Sequence, residues 1–217
     1  MSQFTEKGWR VYAQAALAFI ALFVIMTAPV LSIAGGFTRK FMASACFVLI
    51  ALLSGGLKTG FGRLMITALV FCFAADLAIE YDFLWGLYTF LAAHLLFVAA
   101  FWARGIDRRY ALICLAIMAA LTAIVVAAFF PHISAQERIP VVAYGVVIAL
   151  MMVFAGGTFG HEPARKGRVL LAGAGLFYVS DVFLGADRFV GGDFPYGYLC
   201  LTLYYSGCIL LAFSADG

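Results

Sequence analysis

The chain has 217 residues, 65% of them hydrophobic and 12% charged, with a net charge of +3 and a mean hydropathy of +1.05. A water-soluble domain averages roughly 45–50% apolar and about 25% charged residues, so this composition would leave very large apolar patches facing water. It excludes an ordinary soluble fold and points to a chain whose outer surface is solvated by lipid.

A helix needs about 20 largely apolar residues to cross roughly 30 Å of hydrocarbon. Breaks at charge, Gly or Pro divide the sequence into eight such runs. The first, Trp9–Ile33, is longer than the roughly 7–15-residue core of a signal peptide and is expected to remain as a span. Then come Phe41–Leu57, Arg63–Ile79, Phe83–Trp102, Tyr110–Phe130, Ile139–Phe159, Arg168–Gly185 and Tyr196–Phe213. No run alternates as a barrel strand does, and helices satisfy their own backbone hydrogen bonds in lipid. The expected fold is therefore all-α, a polytopic transmembrane helical bundle of about eight spans, forming one integral membrane domain over residues 1–217 with nothing soluble appended. Short links predict that sequential helices pack as antiparallel neighbours.

Basic residues orient the bundle. Of the 14 lysines and arginines, ten (Lys7, Arg10, Lys58, Arg63, Arg104, Arg108, Arg109, Arg165, Lys166 and Arg168) fall on the amino-terminal side. Arg39, Lys40, Arg138 and Arg188 fall on the other, so both termini are expected in the cytoplasm. The acidic residues Glu80, Asp82, Glu137, Asp187 and Asp193 collect in or beside the opposite loops, leaving Asp76 and Asp181 inside spans. The five cysteines all lie in apolar stretches without a Cys-x-x-Cys pair and read as small buried hydrophobes.

A carboxyl facing hydrocarbon costs about 2.5–3.5 kcal/mol or more, so Asp76 and Asp181 are expected to turn inward. Each follows by 13 residues the arginine that opens its span, Arg63 or Arg168, and both spans run in the same direction. The two carboxyls should lie at one depth and can meet across a cavity. Phe73-Ala74-Ala75-Asp76 and Tyr178-Val179-Ser180-Asp181 also align loosely, as a four-helix internal duplication would make them. Two neighbouring carboxyls in a low-dielectric site resist double ionisation, which suits a general acid beside a base and equally a proton relay. The bland alternative pairs each aspartate with a cation, Lys40 or Arg188, or makes it a helix cap.

Other polar residues fall within the spans. His94 lies near the middle of the fourth span, either as a satisfied core group or as part of a site. Tyr144, Tyr198, Tyr204 and Tyr205 add hydroxyls, and Tyr204 and Tyr205 sit too deep for an interfacial aromatic belt. Lys40 can snorkel to headgroups or hold a phosphate. His94, His132 and His161 are too scattered for a three-ligand zinc site, so no metal is expected. Ser54-Gly55-Gly56 and Ser206-Gly207 place serine beside glycine, but no histidine spacing supports a serine protease.

The order Lys40, Ala75-Asp76, Phe90 through Ala93-His94, Tyr144, Gly173-Ala174 with Phe177 and Ser180-Asp181, then Tyr204-Tyr205 resembles the YhhN-like membrane proteins, which include the lysoplasmalogenases. The resemblance runs from about residue 38 to near the end. The chain departs from the family pattern at Ala75, where Gly is usual, at Phe41, where Pro is common, and at Cys208, where Gln is typical. The resemblance implies hydrolysis of the vinyl ether bond of a lysoplasmalogen to a fatty aldehyde and a glycerophospho-base, without metal or cofactor. Asp76 and Asp181 would be the catalytic pair, with Lys40, His94, Tyr144, Ser180, Arg188 and Tyr204 around the substrate. The implied partners are a lysophospholipid entering from the bilayer and membrane lipids, with no nucleic acid, and the implied location is a bacterial inner membrane. A small proton-coupled transporter and a non-catalytic lipid-binding protein remain as alternatives.

Overall fold

The computed structural model describes residues 2–31, 35–162 and 165–216, with side chains from residue 8 onward apart from 28–31. It holds eight long α-helices: α1 (Ser2–Leu31), α2 (Gly36–Leu53), α3 (Gly60–Ala78), α4 (Phe83–Arg104), α5 (Arg108–Phe129), α6 (Arg138–His161), α7 (Arg165–Gly185) and α8 (Tyr196–Phe213). All eight contain a stretch long and apolar enough to cross a membrane, which makes the chain a multi-pass membrane protein. The expected end of the first span, Ile33, lies outside the described residues.

The boundaries follow local chemistry. Thr59 starts α3 by accepting a hydrogen bond from the Gly62 amide at 2.9 Å, so this helix begins ahead of the expected Arg63. Asp82 caps α4 through the Trp85 amide at 2.9 Å, and Asp107 caps α5 through the amides of Arg109 and Tyr110. Between α2 and α3 the chain turns at Gly55, whose φ of 87° favours glycine. Gly62 then passes so close to the Gly56 carbonyl that no side chain could fit.

Six helices close into a ring in the order α2, α3, α4, α6, α7, α8 and back to α2. Two remain outside it. Helix α1 rests on α2 and α8, and α5 rests on α6. Their outer residues, such as Phe19, Phe23, Leu112 and Ile124, are exposed as lipid-facing side chains should be, and α5 buries only Met118 among its described residues. The expectation that every helix packs on its successor therefore fails at α4, whose second neighbour is α6. The α4–α5 link explains this: the Asp107 amide donates to the Gly157 carbonyl of α6 at 2.9 Å, which fastens the link to α6 and leaves α5 outside.

The packing of α1–α4 recurs in α5–α8, since α1·α2, α2·α3 and α3·α4 are matched by α5·α6, α6·α7 and α7·α8. The crossings between halves, α4·α6 and α8·α2, match as well. Asp76 stands 16 residues into α3 and Asp181 16 residues into α7, so both carboxyls lie about 24 Å from the end of the bundle that carries the chain termini. The opposite end is called the distal end below.

Candidate active site

Each ring helix contributes a polar group to the interior: Ser44 from α2, Asp76 from α3, His94 from α4, Tyr144 from α6, Asp181 from α7, and Tyr204 with Tyr205 from α8. Polar groups buried among apolar helices need partners, and these find one another. They form two clusters, one around each carboxyl.

The Asp76 cluster is sealed. Asp76 is 2% exposed, and three hydroxyls converge on its Oδ2: Ser44 at 2.5 Å, Tyr204 at 2.9 Å and Tyr205 at 3.3 Å. The Ser44 and Tyr205 oxygens are themselves 3.2 Å apart, and Phe47 packs on both tyrosine rings.

The Asp181 cluster is sparser. The Tyr144 hydroxyl donates to Oδ2 at 2.6 Å, and His94 Nε2 lies 3.8 Å from the same oxygen, beyond hydrogen-bond length. His94 Nδ1 sits 2.6 Å from the carbonyl of Phe90, one turn back on α4. A carbonyl can only accept, so the neutral ring carries its proton on Nδ1 and turns the Nε2 lone pair toward Asp181. Among the described residues Nε2 has no hydrogen-bond partner.

The clusters touch through aromatic rings. Phe177 packs against His94 at 4.8 Å and Tyr204 at 5.0 Å, and Phe90 packs against Phe177 and Tyr204. Among the described residues no hydrogen bond or ion pair joins the two carboxyls directly, and each is held by partners of its own. The two sets obey one rule: a hydroxyl from the preceding helix (Ser44 or Tyr144) and a ring from the other half of the chain (Tyr204 or His94).

Only Asp181 reaches open space. A cleft between α4, α5, α6 and α7 takes in Asp181 and Tyr144, while Asp76 is absent from its walls. Thr122 and Tyr178 are its other polar side chains, and the rest of the lining is apolar or glycine.

The remaining sequence candidates are placed as follows. Lys40 forms an ion pair with Glu80 at 2.7 Å at the distal end of α2, so its ammonium is already matched by a carboxylate. Arg188 pairs with Glu137 at 3.0 Å and stacks on the Phe83 ring at the distal end of the cleft. The Glu137 carboxyl is held below the ordinary range by the Ser134 hydroxyl first and then by Arg188. The Ser180 hydroxyl turns back to the Phe177 carbonyl at 2.6 Å and is fully buried, which separates it from the Asp181 contacts. Two members were not singled out from the sequence. Ser44 stands one helical turn beyond Lys40, a spacing that puts both on one face, and Glu80 closes α3 opposite Lys40.

Searches among curated proteins and solved structures find no match. The profile of the YhhN family aligns with residues 35–215, which hold every ring helix and both aspartate clusters. The chain belongs to the YhhN family.

Proposed function

We propose that the protein is a membrane-embedded hydrolase that cleaves the vinyl ether bond of lysoplasmalogens, with Asp181 as the acid. The observation that carries this reading is a carboxyl partly open to an apolar cleft and, among the described residues, hydrogen-bonded by the Tyr144 hydroxyl alone. Apolar walls favour the neutral, protonated form of such a group, and a proton donor to carbon is what a vinyl ether requires. The Asp181 proton goes to the β-carbon of the double bond, whose π electrons form the new C–H bond. The α-carbon and ether oxygen become an oxocarbenium ion. Water adds to the α-carbon and its proton returns to Asp181. The resulting hemiacetal separates into fatty aldehyde and glycerophospho-alcohol.

Asp76, with three hydroxyls on one oxygen, is arranged to carry negative charge in the low-dielectric interior and so to offset the cation. His94 turns its Nε2 lone pair toward Asp181 at 3.8 Å, a polar neighbour supplied by α4 rather than by Tyr144's helix. The test is to incubate purified protein in lipid nanodiscs with a lysoplasmalogen and to measure released aldehyde. Aldehyde formed at the rate of a protein-free control would overturn the proposal.

A second reading, a proton-coupled carrier built from two copies of a four-helix unit, draws on the recurrence of packing between the halves. It predicts substrate uptake into proteoliposomes driven by a pH gradient and no aldehyde. The hydrolase reading predicts the reverse.

A further inference from the structure

Helix α5 leaves the ring at its first turn, and glycines on α6 set how it does so. A Cβ on Gly157 would stand 2.6 Å from the Ile106 side chain, and one on Gly160 would stand 2.5 Å from the Tyr110 ring, so both glycines let the start of α5 sit close. The Tyr110 ring also packs edge-on against Phe159 of α6 at 5.9 Å. With the Asp107 amide bound to the Gly157 carbonyl, the link and the first turn of α5 are fixed to α6. The end of α4 is fixed to the same helix, Trp102 lying against Phe154 at 5.6 Å. Helices α4 and α5 thus both stand on α6, and a groove is left between them.

The floor of the groove is Val153 and Phe154 of α6, and its sides are Trp102 of α4 and Leu112 of α5. It holds about 240 Å³, against about 80 Å³ in the cleft beside Asp181, and the two share no lining residue. This is short of the roughly 300–1,000 Å³ that enclose a whole small molecule. It suits an occupant that lays one segment in the groove and leaves the rest outside. Trp102 and Leu112 are 68% and 65% exposed, so the flanking surface is apolar as well and faces hydrocarbon in a bilayer.

The charged member of the lining is Arg108, one turn before Leu112 and therefore on the same face of α5, at its end nearest the chain termini. Arg108 and Arg109 are both exposed and make no ion pair among the described residues. The acidic side chains described at this end are already engaged. Asp107 accepts from the amides of Arg109 and Tyr110, Glu162 binds Arg104 at 2.6 Å, and Asp216 binds Lys166 at 3.1 Å.

We propose that this groove seats one chain of an anionic two-chain phospholipid of the bilayer, with the lipid phosphate at Arg108 and Arg109. Charge selects the occupant. A guanidinium pairs with phosphate, and no carboxylate stands free among the described side chains at this end to receive the ammonium of a zwitterionic headgroup. Shape selects the place, because hydrocarbon supplies the contacts that side chains leave unmade between α4 and α5. The second chain lies over the exposed faces of Trp102 and Leu112. Arg108 is 14 residues, about 21 Å, from Thr122 on the wall of the Asp181 cleft, so this lipid is a packing element and not a substrate. The proposal stands apart from the reaction assigned to Asp181.

Trp102 itself reports occupancy. Of the three tryptophans, Trp9→Phe and Trp85→Phe together leave it as the sole indole of the full chain. The protein is placed in nanodiscs that mix phosphatidylglycerol and phosphatidylcholine, with bromine on the chains of one lipid or the other. Bromine quenches an indole that it touches. Brominated phosphatidylglycerol is expected to compete for Trp102 about tenfold better than brominated phosphatidylcholine. Arg108→Gln should cut that preference about fivefold, near what one basic residue beside a membrane surface contributes. Arg168→Gln, which removes the same charge from the same end of the bundle, should leave it unchanged. Equal quenching by the two lipids would overturn the proposal. So would an equal loss in Arg108→Gln and Arg168→Gln, which would mean a diffuse field and no seat. A preference abolished by added inorganic phosphate would assign the arginines to the free ion and overturn the lipid seat as well.

Discussion

The two aspartates differ in what surrounds them although they hold equivalent places on α3 and α7. Among the described residues Asp76 is enclosed by three hydroxyls and is 2% exposed, whereas Asp181 has one hydroxyl, an imidazole nitrogen without a hydrogen-bond partner nearby and a cleft in front. A carboxyl with many donors is held in place and tied to the stability of the bundle. A carboxyl with few donors and an open side is available for chemistry. Equivalent positions along the chain therefore support unequal roles, because the neighbouring helices supply different side chains.

The sharpest way to break the comparison is to remove each carboxyl in turn. Asp181→Asn is expected to lower aldehyde release by about 10²–10⁴-fold, the span attributed to a general acid, with the melting temperature held near wild type. Asp76→Ala should act on stability, because it leaves Ser44, Tyr204 and Tyr205 buried without their common acceptor, at a cost of about 2–3 kcal/mol. Thermal unfolding and single-turnover aldehyde assays on both variants decide the matter. Equal stability losses would erase the proposed difference.

Tyr144→Phe removes the only hydroxyl that bonds Asp181 among the described residues and is expected to lower kcat by about tenfold while leaving KM unchanged, as steady-state kinetics would show. The distal rim should respond to pH. The folded-state value of Glu137 is depressed by Ser134 and Arg188, so its contribution to stability is present above the ordinary carboxylate range and is lost as pH falls through the lowered value. Melting temperatures of Glu137→Gln and wild type should therefore converge on acidification, by a small amount because Arg188 is half exposed. The smallest effect is expected at Thr122, whose buried hydroxyl has no hydrogen-bond partner among the described residues. Thr122→Val keeps the shape and removes that group, so stability should stay level or rise by up to about 1 kcal/mol, measured by thermal unfolding.

Much of this architecture is legible in the amino-acid order. A crossing helix is a local property of length and hydropathy, so the eight runs read from composition return as α1–α8. Boundaries shifted where a cap or a glycine turn intervened, as at Thr59 and Gly55. The equal register of Asp76 and Asp181 is likewise a matter of counting along helices of constant rise. The sequence also singled out Tyr144, Tyr204 and His94, because hydroxyls and imidazoles deep in apolar spans are uncommon.

What the tertiary structure alone decided is which of those groups meet. That α4 turns to α6 and leaves α5 outside depends on a backbone hydrogen bond from Asp107 to Gly157, 50 residues apart in the chain. Ser44 became part of the site through α2 packing on α3, and Lys40 and Arg188 found glutamates across loops that no periodicity links. Above all, each of the two carboxyls gathers hydrogen-bond partners of its own, with Phe177 packed between His94 of one set and Tyr204 of the other. Depth is fixed by rise per residue along one helix, whereas facing depends on how each helix is rotated and on who its neighbours are. Only the closed ring of six supplies that information.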